Sequence, residues 1–300
     1  MLYHALSAIN DKPQTTLLSL TGDLQPDPIY KWENSLNNIP TPYPEINALL
    51  TQLYTGMRAI VGEHFVAMYL DGSLASGAFD QDSDIDFIVV NDISVTGDLF
   101  CSLQEMHDHL NRSDSPWAIQ LEGFYISLEG IRRHDPERAL HANIERGLGE
   151  RLKMVRLDQT WDVHRSILRQ QGITLEGPAP QTLIDPVTPA QLQQAMLANL
   201  SGWAARLLEN PLQMTFRGYQ SFIVLTLCRV LYTLQNGEVS SKLAAVRWAK
   251  ETLGERWEPL IDSAWEGRSH SNGDASPEDI AGTQEFIRYA VDYGRVWLPK

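Results

Sequence analysis

Cysteine is scarce: Cys101 and Cys228 are the two in a chain of 300 residues. Two thiols make no disulfide framework, and no Cys or His cluster stands at metal-ligand spacing, so no zinc site is expected. Both thiols fall in apolar helical patterns, which predicts buried free thiols in a reducing cytosol. Long apolar runs are missing too. A membrane span needs roughly 18 or more consecutive apolar residues, and the sequence has no such run. The N-terminus lacks a basic segment followed by an apolar one, so no signal peptide is expected and a cytoplasmic location is. Positive charge is in short supply, with 24 Lys and Arg against 38 Asp and Glu and a formal net charge of −14. Phosphate contacts along a nucleic acid need a basic face, which this balance does not offer. It is compatible with a cationic small substrate, although by itself an ordinary acidic cytosolic surface is the plainer reading.

What is present is a hydrophobic fraction of 43%, enough for a sizeable core, in a length that allows one large or two ordinary domains. Residues 1–43 hold scattered Pro, Asp and Thr without a sustained period and read as an extension. Pro44 to Gly62 predicts a helix, with Ile46, Leu49, Leu50, Leu53, Tyr54, Met57 and Ile60 at helical spacing. The stretch from Tyr69 to Val90 then organises the rest. An apolar run, Phe65 to Leu70, stops at Gly72-Ser73. After a short segment, Asp84 and Asp86 lead into a second run, Phe87 to Val90. Both runs are short and rich in β-formers, so strands are expected. Side chains at i and i+2 of a strand share a face, which would aim both carboxylates at one point. Mg²⁺ wants such an oxygen pair together with phosphate oxygens. Gly72 lets backbone approach a phosphate, and Ser73 can donate to it.

Further along, Asp98 to Leu110 predicts a helix. Trp117 to Ser127 predicts a strand with Gln120, Glu122, Phe124 and Ile126 on one face. Glu122 is an acid on a face inclined to burial; it is either functional or an edge-strand acid in solvent. Residues 134–149 are polar and read as helical. Gln159 to Gln171 reads as a helix in which His164 is a structural residue. Gly172 to Pro189 carries four prolines and two glycines and reads as a connection. Beyond Val187 everything reads as helical: Pro189 to Leu208, Tyr219 to Leu234 capped by Asn236-Gly237, Ser241 to Leu253, Trp257 to Trp265 and Pro277 to Trp297, with a polar loop from Arg268 to Asp274. Arg229 sits within the apolar helix and Lys242 opens the next. A guanidinium there needs a partner, either a phosphate or a carboxylate of the helical bundle.

The Gly-Ser and Asp-x-Asp pair resembles the signature of the DNA polymerase β-like nucleotidyltransferases. The resemblance is closest to the bacterial aminoglycoside adenylyltransferases, with Gly72, Ser73, Gly77, Ser83, Asp84, Ile85 and Asp86 in the matching places. The passage from Val224 to Lys242 resembles their second domain. The resemblance implies an α/β nucleotidyltransferase domain with a small mixed sheet over residues 44–187 and an all-α bundle over 188–300. It implies ATP and Mg²⁺ in the cleft between them, with Asp84 and Asp86 as metal ligands and Glu122 as the base. Gly72, Ser73, Ser83, Arg229 and Lys242 would bind nucleotide. AMP would pass to a hydroxyl of a small cationic acceptor. Members that act on streptomycin carry an Asp where this chain has Tyr219, so Tyr219 becomes the candidate acceptor contact and spectinomycin is ranked above streptomycin. A catalytically silent or toxin–antitoxin partner on the same fold is the alternative, as is a non-antibiotic acceptor. A polymerase or tRNA nucleotidyltransferase would need the basic face this chain lacks.

Overall fold

The computed structural model describes residues 40–77, 79–80, 83–210, 214–268 and 273–297. The extension read over residues 1–43 therefore lies, but for its last four residues, outside the described residues.

Helix α1 (Pro44–Val61) starts with proline in its first turn and buries Ile46, Leu49, Leu50, Leu53, Met57 and Val61 along one stripe. Gly62, at φ 62°, ends it and returns its N–H to Arg58. Strand β1 (Phe65–Leu70) and the one-turn helix α2 (Gly72–Ser76) follow. Then come β2 (Ile85–Asn91), α3 (Gly97–Leu110), β3 (Leu121–Ser127), α4 (Leu128–Arg132), β4 (Leu140–Ile144) and β5 (Lys153–Arg156). Helix α5 (Asp162–Gln171), β6 (Ile173–Glu176) and α6 (Pro180–Leu183) complete this part.

The six strands form one mixed sheet in the order β5-β4-β3-β2-β1-β6. Strands β2 and β3 are parallel, joined through α3; the other pairs are antiparallel. Side chains alternate faces along each strand. Phe87, Val89 and Tyr125 therefore share one face, where Ala142 and Ile144 join the core built on α1 with Met57 and Leu103. Asp86 and Glu122 project from the other.

The elements among the remaining described residues are mainly helical: α7 (Pro189–Asn199), a π-helical turn at Leu200–Ala204, α8 (Ala205–Glu209), α9 (Arg217–Asn236), α10 (Lys242–Thr252), α11 (Glu258–Gly267) and α12 (Pro277–Arg295). Helix α9 is buried along most of its length and is the core of this unit, with Ile223, Leu227 and Leu231 fully covered. Gly237, at φ 69°, caps it in the left-handed region. No helix among the described residues is long and apolar enough to cross a membrane.

The chain packs as two compact units. One holds the sheet, running to Ile131 and including Leu140–Arg156 and Gln171–Leu183. The other holds Arg132–Ala139, Leu157–Gln170 and everything from Ile184 onward. The division is not a single cut, because two short segments before α6 belong to the helical unit.

The structure corrects several local expectations. Residues 134–149 are not helical: Leu140–Ile144 is a strand. It pairs with β3 on one side and β5 on the other, which satisfies its backbone groups while His141 and Asn143 occupy one face. The connection from Gly172 to Pro189 contains β6, paired to β1, and a turn of helix. The strand expected from Trp117 begins at Leu121, after a 3₁₀ turn over Ala118–Gln120. Asp84 precedes β2 rather than lying within it. Cys228 is buried, but Cys101 is exposed, because α3 turns it away from the face that buries Leu103, His107 and Leu110. Within the polar loop from Arg268 to Asp274, residues 269–272 lie outside the described residues.

Candidate active site

The site begins where β1 ends. Asp71, buried, stands at the start of α2, and its N–H donates to the carbonyl oxygen of Asp86 at 3.0 Å. That bond holds the Gly-Ser turn against the first residues of β2. Gly72 adopts φ 64°, a conformation that side-chain-bearing residues rarely take. The carboxylate of Asp86 fills the space a Cβ there would need.

Parallel pairing sets Asp86 directly beside Glu122 on β3. Asp84, one residue before β2, completes the group. Asp84, Asp86 and Glu122 each present a carboxylate oxygen, and these atoms lie within 4.8 Å of one another. Asp86 is 4% exposed and Glu122 8%. Burial raises the Asp86 carboxyl well above the usual carboxylate range, and the charges of Asp84, Glu122 and Asp71 push it further. Burial also raises Glu122, helped by Asp84 and Glu145 and opposed by Arg146. Buried carboxylates packed this closely repel one another unless a cation sits among them. Oδ1 of Asp86 is buried without a hydrogen-bond partner. An oxygen-only donor set with such an orphaned atom fits a hard divalent cation such as Mg²⁺.

Ser83 lies beside this group, but its hydroxyl is engaged locally. It donates to Asp80 Oδ1 at 2.8 Å and accepts the Asp80 N–H at 3.0 Å, tying Ser83 to Asp80 just before Asp84. Ser73 is half-buried in the first turn of α2. The structure thus brings together Gly72, Ser73, Ser83, Asp84, Asp86 and Glu122.

The other candidate residues belong to the helical unit. Tyr219 is buried near the start of α9, stacked on Phe222 with ring centroids 5.8 Å apart, and burial pushes its hydroxyl up to about 12. Arg229 is half-buried on the same helix, and Lys242 is exposed as the first residue of α10. His164 stacks on Trp161 with centroids 5.6 Å apart. Burial, with Arg229 and Arg165 nearby, holds it well below the usual imidazole range. It packs as a structural residue.

The sequence reading missed Glu145, Arg146 and Lys153. Just past β4, Arg146 Nη1 lies 3.9 Å from Asp84 Oδ2. Glu145 is buried and pairs with Lys153 Nζ at 3.4 Å, which also reaches Glu150 at 2.9 Å. Their signal, an acid and a base after an alternating Leu-His-Ala-Asn-Ile run, becomes readable once that run is a strand.

Residues 182–293 match the family model described as the aminoglycoside adenylyltransferase C-terminal domain. The chain is 26% identical over 259 residues to the aminoglycoside (3'') (9) adenylyltransferase of Escherichia coli, covering 81% of this chain and 95% of that protein. It is 24% identical over 227 residues to the spectinomycin 9-adenylyltransferase of Campylobacter jejuni, covering 72% of this chain and 83% of that one. Among solved structures, it resembles the spectinomycin adenyltransferase from Enterococcus faecialis, determined with ATP and spectinomycin. The TM-score is 0.63 at 14% identity, over 83% of this chain and 98% of that one. That likeness shows a common fold.

Proposed function

We infer that this chain, a member of the aminoglycoside adenylyltransferase family, transfers AMP from ATP to a hydroxyl of a small cationic acceptor. One observation carries the reading: two adjacent parallel strands set Asp86 beside Glu122, with Asp84 in reach of both and Gly72 lying against the Asp86 carboxylate.

The proposed chemistry follows from that arrangement. Asp84 and Asp86 would hold Mg²⁺, which supplies charge neutralisation at the phosphoryl oxygens. Glu122 takes the proton of the acceptor hydroxyl. The hydroxyl oxygen forms a bond to the α-phosphorus as the bond to the bridging oxygen breaks, and pyrophosphate leaves. In the metal-free cluster burial raises the affinity of Glu122 for a proton, the direction a general base needs. Gly72 and Ser73 open α2 beside these carboxylates, where backbone and hydroxyl donors suit a phosphate. Phosphate contact by Arg229 and Lys242 belongs to the same reading and rests on the resemblance of the segment that carries them.

The acceptor is proposed to be an aminocyclitol antibiotic, with spectinomycin ahead of streptomycin. The relatives' names support that class, and the formal charge of −14 suits a cation. Tyr219 supplies no carboxylate for streptomycin's guanidinium groups.

The test is mass spectrometry of each drug after incubation with the protein, ATP and Mg²⁺. Spectinomycin should gain one AMP, with pyrophosphate released in equal amount. Modification of streptomycin but not spectinomycin would reverse the ranking. Modification of neither drug would remove the antibiotic from the reading.

A further inference from the structure

The ion pair at the carboxylate cluster joins Asp84 to Arg146, and nothing in the chemistry proposed above uses Arg146. Its backbone is fixed. Strand β4 ends at Ile144, paired to Gly123 beside Glu122. Two residues beyond Glu145, the N–H of Gly147 donates to Ile119 O at 2.8 Å, pinning the turn to the entrance of β3. Arg146 therefore starts next to the cluster by construction. Its side chain is 48% exposed, against 32% for Asp84, and Nη1 stands 3.9 Å from Asp84 Oδ2. Such a long, half-exposed pair is weak and readily broken. Lys153 is engaged elsewhere, with Glu145 and Glu150.

We propose that Arg146 is the resident counter-cation of the metal-binding carboxylates, a guanidinium that a divalent cation must displace from Asp84. The proposal rests on the reading of Asp84 and Asp86 as metal ligands. A guanidinium and a metal compete for the same Asp84 carboxylate, and like charges would push Arg146 aside once the metal is bound. Arg146 thus sets how strongly the site holds metal in the absence of nucleotide. It limits idle metal binding at Asp84 until substrate arrives.

The experiment measures Mn²⁺ binding to the full chain without nucleotide, following free Mn²⁺ by electron paramagnetic resonance. Arg146→Gln removes the competing charge, and its affinity for Mn²⁺ should rise roughly twofold to fivefold, the range of an exposed ion pair. Arg146→Lys keeps the charge and should bind Mn²⁺ as the parent does. Melting curves establish that both variants fold. Unchanged or weakened Mn²⁺ affinity in folded Arg146→Gln would overturn the proposal while leaving the metal site in place. Asp86→Asn serves as the control. If it binds Mn²⁺ as tightly as the parent, the metal-site reading fails and takes this proposal with it.

Discussion

A Cβ added to Gly72 would stand 1.7 Å from Oδ2 of Asp86, closer than any non-bonded contact allows. The glycine at the turn and the acid on β2 are thus one device. The first supplies a positive φ and an open flank, and the second occupies it.

Gly72→Ala should therefore fail twice. The left-handed conformation costs a non-glycine residue about 1–3 kcal/mol, and the methyl group must push the Asp86 carboxylate away. Turnover should fall by roughly 10²-fold, the scale of a displacement of about 1 Å at reacting groups. Steady-state kinetics with a parallel melting curve checks this; near-parent turnover would show that the contact is relaxed at no catalytic cost.

Asp84→Asn and Asp86→Asn should abolish transfer in folded protein, since an amide is a poorer, uncharged metal ligand. Full activity of either purified variant would remove the metal role.

Asp86→Asn should also stabilise the metal-free protein at neutral pH. The folded-state Asp86 carboxyl is raised well above its unfolded value by burial and by Asp84, Glu122 and Asp71. The unfolded chain then loses its proton first. Stability falls as pH rises from the ordinary carboxylate range to the raised folded value, and the deficit is complete above it. Removing the charge should relieve it, raising Tm by about 2–4 °C per kcal/mol recovered. The gain should shrink as the pH is lowered into the acid range. Scanning calorimetry in chelator across pH is the measurement, and a lower Tm for the variant at every pH would contradict the electrostatic account.

Glu122→Gln should bind ATP yet lose about 10²–10⁴-fold in turnover, the usual contribution of a general base. Collapse of ATP affinity with unchanged turnover at saturation would make Glu122 a binding residue instead.

Lys242→Ala should weaken ATP binding, and so should Arg229→Ala, each by removing a charge-assisted partner for phosphate. Lys242 is exposed and Arg229 half-buried, and a melting curve accompanies each titration. ATP affinity unchanged in folded Lys242→Ala would exclude it from the nucleotide site.

The sequence by itself determined the elements and the chemistry that lie close together along the chain. Phe65–Leu70 is a strand with the bounds its apolar run gave, and α1 runs from Pro44 to Val61, one residue short of the glycine that stops it. Gly72, Asp84 and Asp86 were legible because the glycine and the two carboxylates lie within fifteen consecutive positions, residues 72–86, between two apolar runs. The tertiary structure decided the rest. A strand such as Leu140–Ile144 has its state fixed by the partners on both sides; its alternation of Leu, Ala and Ile with His141 and Asn143 is a strand pattern, but a five-residue one set among polar neighbours. Glu122 stood out as an acid on an apolar face, but only the parallel register of β2 and β3 sets it beside Asp86. Arg146 reaches Asp84 because β4 pairs with β3 and Gly147 hydrogen-bonds back to Ile119. Periodicity reports which face of an element is buried; the residue across from it depends on pairing between segments distant in the chain, which only the folded backbone fixes.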